Sequence, residues 1–269
     1  MRNWLNKATS TTAWRQVASL LNQYWRICGT GLGFLTFSIG ALSLRLLVFP
    51  LLQIFVRDRQ QRERWARRWI RWAFRSLVEC VCLLGVISYD IRGLQRLQRR
   101  GLLILANHPT LIDTMLLMAF VHQADCIVKS SLWNNPVTRG PVRAAGYISN
   151  AQGPELVDDC IASLRNGSNL IIFPEGTRTP LDGNIILKRG AANVAVRGHW
   201  AVTPVTIRCT PVILSKGKKW WKVPPTMPHF SIIVGPDIMI EEMTDSAAPP
   251  SLAARQLTNY LQNYFMKES

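Results

Sequence analysis

Apolar and polar positions divide the chain into two regimes that meet near residue 90. Before it, apolar residues come in long blocks; after it, short apolar runs alternate with amphipathic stretches. From residue 27 to 56 the chain is apolar for 30 residues, interrupted by Arg45 and Gln53 and containing Gly29, Gly31, Gly33, Gly40 and Pro50. A helix that spans a bilayer needs about 20 apolar residues, so the length suffices. Two readings follow. One is a single span with Arg45 snorkelling, since a charge at the bilayer centre costs roughly 2.5–3.5 kcal/mol. The other is a hairpin, broken by glycine and proline, that dips into one leaflet. Basic residues on both flanks, Arg26 and the cluster from Arg57, favour the hairpin, whose two ends share a side. A buried core helix is the weaker reading, because ordinary helices are much shorter than this run.

Residues 57–75, RDRQQRERWARRWIRWAFR, hold eight Arg against Asp58 and Glu63. At helical spacing Trp65, Trp69 and Trp72 form one stripe, with Arg64, Arg68, Arg71 and Arg75 beside it. Aromatic rings beside guanidinium heads suit the headgroup zone of an anionic leaflet, where each charge adds about 1 kcal/mol of attraction. Residues 76–88 are apolar but too short to span alone, so they either continue this helix or pack on the domain that follows.

Beyond a basic connector (Arg92, Arg96, Arg99, Arg100), strand-like apolar runs lie at 101–107, 124–130, 169–174, 201–207 and 230–235. Helices are predicted between them at 109–120, 154–165 and 188–197. A last one is predicted over 252–265, where Leu257, Tyr260, Leu261 and Tyr264 share a face. This alternation predicts an α/β fold, a central, partly parallel sheet flanked by helices. The expected organisation is a membrane-associating helical region, 1–90, followed by a catalytic domain, 91–269. The mixed first 26 residues do not form a short basic region leading into a cleavable apolar core, so no secretory signal peptide is expected.

Ten Trp and a formal net charge of +16 suit a polyanionic partner, either nucleic acid or anionic lipid. Apolar blocks flank the basic stretch and no nucleic-acid-binding motif is present, so an anionic bilayer surface is expected and nucleic acid is not. The six Cys are scattered without zinc-ligand spacing, and Cys80-x-Cys82 reads as two small core residues. A reduced, cytosol-facing environment fits that usage.

Candidate chemistry concentrates in two heptapeptides. NHPTLID, residues 107–113, lies where a buried strand ends and a helix begins. Within one helix, residues five apart stand about 140° out of phase, so His108 and Asp113 would not meet. Proline favours the first helical position. With Pro109 there, His108 stands just outside and Asp113, one turn in, reaches back to one imidazole nitrogen. The other nitrogen is then free to take a proton. No adjacent Ser or Cys nucleophile and no G-x-S-x-G elbow accompanies the pair, so the substrate supplies the nucleophile. With four His in all and no H-x-x-x-H, a metal at this pair is the weaker reading. The second heptapeptide, FPEGTRT at 173–179, follows the run NLII directly. Glu and Arg three residues apart at the end of a buried strand lie where open α/β sheets place ligand contacts. Glu175 can accept from a hydroxyl, Arg178 can clamp a phosphate bidentately, and Gly176 lets the backbone approach closely. Either heptapeptide alone also fits a plain capped turn; coincidence is a poor account of both.

On these residues the sequence resembles the glycerolipid acyltransferases, over about residues 101–236. Four blocks stand in the family's order. They are NHPTLID; a looser stretch through Lys129, Pro136, Gly146 and Asn150; FPEGTRT with Leu187-Lys188-Arg189-Gly190-Ala191; and Val202-Thr203-Pro204-Val205. The separation of 67 residues between His108 and Glu175 also fits. The resemblance implies a glycerolipid-acyltransferase-like α/β domain behind a membrane-associated helical segment. It implies transfer of a fatty acyl group from a thioester, acyl-carrier protein or coenzyme A, to the hydroxyl of a lysophospholipid, with 1-acyl-glycerol-3-phosphate the first choice. His108 would act as general base and Asp113 would orient it. Glu175, Gly176, Thr177, Arg178 and Lys188 would hold the acceptor. No cofactor or metal is implied, and the catalytic domain would face the cytoplasm, at the inner membrane in a bacterium. One departure bears on the acceptor. The family's second block commonly ends in an Arg that contacts the acceptor's phosphate, whereas this chain reads Gly146-Tyr147-Ile148-Ser149-Asn150-Ala151-Gln152. A lipid acceptor without that phosphate is therefore an alternative, as is a non-catalytic basic membrane adaptor resting on 57–75.

Overall fold

The computed structural model describes residues 2–134, 138–151, 153–180, 182–243 and 248–268. Helix α1, Arg2–Ser43, runs without a break through Gly29, Gly31, Gly33 and Gly40. A π-helical turn, Leu44–Val48, joins it to α2, Phe49–Phe55. The wider turn suits Pro50 at the start of α2, which has no N–H to give the carbonyl four residues back. The chain reverses only over 56–58. There Asp58 caps α3, Arg59–Leu83, by accepting from the Gln61 amide at 2.6 Å.

α3 returns along α1. Phe37 stacks on Phe74 at 6.1 Å, while a Cβ on Gly33 would lie 3.1 Å from Val81 and one on Gly29 only 2.6 Å from Val86. The glycines therefore do not break the apolar run, as the hairpin reading expected; they let the returning chain come close. The run is the first arm of a two-helix hairpin whose bend comes after it. Arg45 lies across Gly140, where a Cβ would meet its Cγ at 3.2 Å. The helical stretch Val17–Phe55, 39 residues, is long and apolar enough to cross a membrane, and only 11% of its most apolar window is buried. It is not a core helix.

From Arg59 the basic stretch and most of the apolar segment after it form the single helix α3, Arg59–Leu83, and the second part packs on the domain. Ala66, Ile70, Leu77, Val78 and Val81 are buried, whereas Trp65, Trp69 and Trp72 are exposed. The Arg68 guanidinium lies 4.4 Å over the Trp65 ring. Arg67, off the Arg stripe, points inward. It pairs with Asp125 at 2.9 Å and donates to Ser168 Oγ at 2.5 Å and the Ala145 carbonyl at 2.8 Å.

Seven strands form one sheet: β1 Ser88–Arg92, β2 Leu103–Ala106, β3 Ala124–Val128, β4 Ile148–Ser149, β5 Asn169–Ile172, β6 Val202–Thr210 and β7 His229–Val234. Their order is β1-β7-β6-β2-β5-β3-β4, parallel throughout except between β6 and β7. The five expected runs are β2, β3, β5, β6 and β7. β1 straddles the expected boundary at residue 90, so the sheet takes its edge strand from both sides of it.

The helices on this sheet are α4 Ile112–Phe120, α5 Ser130–Asn134, α6 Arg139–Ala144, α7 Leu156–Arg165, α8 Gly190–Gly198, α9 Ile240–Met243 and α10 Pro250–Glu268. β2 shows why both faces are covered. Leu103 and Leu105 join the core under α7, α8 and α10, while Ile104 and Ala106 join the core under α3 and α4. All six cysteines are unpaired thiols.

Candidate active site

β2 and β5 are neighbours in parallel register, Leu105 opposite Ile172, so the two heptapeptides leave the carboxyl edge of the sheet side by side. Asn107 ends β2 by turning on β6: its Nδ2 donates to the Ile207 carbonyl at 2.9 Å and its Oδ1 accepts from the Ile207 amide at 2.7 Å. The His108 main chain is then held by the second heptapeptide. Its N–H donates to Glu175 Oε1 at 2.9 Å, and its carbonyl accepts from the Thr179 N–H at 2.7 Å. The imidazole stacks on Phe173 at 4.2 Å between centroids.

His108 Nδ1 lies 2.9 Å from Asp113 Oδ2. The pair meets, but not by the expected route. α4 begins at Ile112, so Pro109 is not its first residue. Instead Thr110 folds the intervening turn, because Asp113 accepts from both the Thr110 N–H at 2.7 Å and the Thr110 hydroxyl at 2.6 Å. This is half of a capping box, with the acid reaching back to the amide at the helix entrance. Asp113 is fully buried. Burial pushes its carboxyl up, while the bonds from His108 and Thr110 pull it down. The Thr110 amide can only donate, so Oδ2 is an acceptor whichever way the Thr110 hydroxyl turns. Nδ1 therefore carries the proton it donates, and Nε2 is left as a lone pair. The His108 side chain is 15% exposed, enough for a reacting hydroxyl to reach it.

Glu175 is buried, and that burial raises its carboxyl against the bonds from Thr179 and the His108 backbone. Its Oε1 is taken by the His108 amide and the Thr179 hydroxyl, the latter at 2.8 Å. Oε2 is buried without a partner among the described residues. The expected acceptor-holding carboxylate thus first holds the protein's own His108. Gly176 has φ +67°, and a Cβ there would lie 2.8 Å from Lys188 Nζ, so the lysine lies across it. Thr177 is half-buried in the same turn. Arg178 donates from Nη1 to the Leu214 carbonyl at 2.7 Å, and that carbonyl also receives the Leu111 N–H at 3.3 Å. The fold therefore gathers all seven expected residues around one cluster of turns.

Five contributors were not foreseen: Asn107, Thr110, Phe173, Thr179 and Leu214. Thr110 had a legible signal, since Thr110-x-x-Asp113 has capping-box spacing before an apolar run. Leu214 had none.

One cavity lies close by, and a second lies toward the opposite, amino edge of the sheet. The first, of about 370 Å³ and apolar, lies between α1, α3 and the start of α4; Phe34, Phe37, Leu77 and Met115 line it, and it reaches the dyad's turn at Leu111 and Ile112. The other, of about 700 Å³, is lined by Arg59, Arg64, Arg68, Arg100 and Arg143, and by none of the seven expected residues. Arg143 lies 5.8 Å over the Trp133 ring there, so it does not replace the Arg missing after Gly146.

Residues 88–208 match the family model described as Acyltransferase, a range that contains both heptapeptides and the dyad. The match spans 121 of the 269 residues and, with the relatives below, supports an O-acyltransferase, whose candidate site stands at the carboxyl edge of its sheet. Among its relatives is a 1-acyl-sn-glycerol-3-phosphate acyltransferase of Pseudomonas aeruginosa, 26% identical over 208 residues that cover 74% of this chain and 75% of the relative. A chloroplast 1-acyl-sn-glycerol-3-phosphate acyltransferase of Arabidopsis thaliana is 27% identical over 138 residues, 48% of this chain and 38% of the relative. The fold is that of the crystal structure of a 1-acyl-sn-glycerophosphate acyltransferase from Thermotoga maritima. Its TM-score is 0.65 at 21% identity, covering 94% of this chain and 95% of that one.

Proposed function

We propose that this chain transfers a fatty acyl group from an acyl thioester to the hydroxyl of 1-acyl-glycerol-3-phosphate, giving phosphatidate, with His108 as general base. The observation that carries the reading is the His108–Asp113 contact at 2.9 Å, which commits Nδ1 and leaves Nε2 for the acceptor. Nε2 takes the proton of the acceptor hydroxyl as its oxygen attacks the thioester carbonyl. The C–S bond then breaks, and the proton on Nε2 passes to the departing thiolate. Asp113 stabilises the imidazolium between these steps. Arg178 and Lys188 supply the cations for the acceptor's phosphate beside Gly176 and Thr177, and Glu175 keeps His108 in place. The apolar cavity at Leu111 takes an acyl chain. Acyl-carrier protein and coenzyme A thioesters both meet the chemistry.

The exposed apolar arm Val17–Phe55 and the Trp/Arg stripe of α3 support a membrane-bound enzyme. Its catalytic domain faces the cytoplasm in this reading, at the inner membrane of a bacterium. His108→Ala should lower turnover by about 10²–10⁴-fold in the purified protein without changing membrane binding; unchanged turnover would overturn the proposal. The lack of an Arg after Gly146 favours a second reading, an acceptor without a phosphate at that position. Assaying lysolipids with and without phosphate separates the two.

A further inference from the structure

Within the connection 211–228 between β6 and β7 lies a loop, 215–223, that plays no part in the readings above. Residues 215–222, Ser-Lys-Gly-Lys-Lys-Trp-Trp-Lys, carry four Lys and two Trp with no acidic residue. All four Lys and both Trp are exposed, Trp220 at 42% and Trp221 at 46%. Nevertheless the loop is fixed. The two indoles meet edge to face at 5.7 Å, and Lys219 Nζ lies 5.1 Å over the Trp221 ring. Trp220 leans edge-on against Phe34 of α1 at 5.9 Å and lies over Gly31. Gln23 Nε2 donates to the Val223 carbonyl at 3.2 Å, and the buried Arg26 donates to the Pro225 carbonyl. Around this joint α1 exposes Leu20, Leu21, Tyr24 and Trp25.

We propose that this lysine–tryptophan loop is a second contact with an anionic bilayer, separate from the Trp/Arg stripe of α3. Trp220 and Trp221 sit at headgroup level, and the four lysines face lipid phosphates. The proposal rests on the membrane reading of α1. Indole rings suit the interface because their ring is apolar while the N–H stays wet, and the adjoining lysines add attraction to an anionic surface. A soluble acidic partner satisfies the lysines but leaves the aliphatic side chains of α1 in water; a leaflet covers both. The loop also touches the reaction site. Leu214, which holds Arg178 and Leu111 by one carbonyl, lies immediately before it. A seated loop therefore turns the acceptor-binding side of the site toward the leaflet from which a lysolipid arrives.

The test is amide hydrogen exchange of the 215–223 segment in the full chain, incorporated in phosphatidylcholine nanodiscs with or without phosphatidylglycerol. Exchange should slow about tenfold with phosphatidylglycerol and recover in high salt. The double variant Lys218→Ser, Lys219→Ser, in which both changed side chains are exposed, should lose most of the protection while still entering the discs. Equal exchange in the two kinds of disc, or full protection in the double variant, overturns the proposal. So does protection that appears in phosphatidylcholine discs only when RNA or an acidic carrier protein is added. Failure of the parent chain to enter discs would remove the membrane reading itself; entry with an unprotected loop removes this proposal alone.

Discussion

Asp113→Asn separates the charge of the dyad from its shape. The carboxylate accepts from His108 Nδ1 at 2.9 Å, from the Thr110 amide at 2.7 Å and from the Thr110 hydroxyl at 2.6 Å. An asparagine can keep this geometry. Its oxygen accepts from Nδ1 and the Thr110 amide, while its NH₂ donates to a Thr110 hydroxyl turned the other way. What disappears is the negative charge beside an imidazole that becomes an imidazolium in the proposed mechanism. A hydrogen bond to a charged group contributes about 1.5–3 kcal/mol. Should that bond act only while His108 holds the proton, kcat falls by about 10- to 160-fold and KM stays where it was. Thermal stability should hold or rise, because a buried charge has been removed. The assay follows thiol release from a saturating acyl thioester in the purified variant, beside its melting temperature. A folded variant with kcat within about twofold of the parent would refute the reasoning.

Two further outcomes are expected. Burial raises the Glu175 carboxyl, so the folded state keeps its proton to higher pH than the unfolded chain. Its contribution to stability is therefore full below the unfolded value of about 4.3 and is lost as pH rises through the folded value. Glu175→Gln keeps an acceptor for the His108 amide without that dependence, so its melting temperature should gain on the parent's from about pH 4 toward neutrality; a pH-independent difference would contradict this. Arg67→Met leaves Asp125 buried without its partner, at a cost of about 3–5 kcal/mol in unfolding, and a second change, Asp125→Leu, should restore most of it. No recovery in the double variant would show that the cost lies in the bonds of Arg67 to Ser168 and Ala145 and of Asp125 to Ser163 and the Cys126 amide, not in a stranded charge.

The central strands were legible because β2 and β5 are covered on both faces and read as unbroken apolar runs. β1 was not, because SYDIR is a half-exposed edge strand whose partner His229 lies 141 residues from Ser88. The reversal at 56–58 was missed for a related reason. Glycines in an apolar run read as breaks, but here Gly33 and Gly29 make room for Val81 of α3 and for Val86 just after it, which only the folded partner reveals. His108 and Asp113 could be read from residue type and spacing, although the weight placed on Pro109 hid the capping role of Thr110. The Glu175 grip on the His108 backbone was beyond reach, since it exists only because β2 and β5 are neighbours.

The inward-pointing Arg67 has a mechanical consequence. By joining α3 to Asp125 of β3, it makes the hairpin and the sheet a single lever. Two strands further along that sheet stands β2, which delivers His108. In a bilayer, whatever angle the apolar arm adopts is passed along this lever to the reacting nitrogen. On the proposed function, the height of His108 above the acyl chains is then set by hairpin tilt, and membrane thickness becomes a control on which lipid hydroxyls come within its reach.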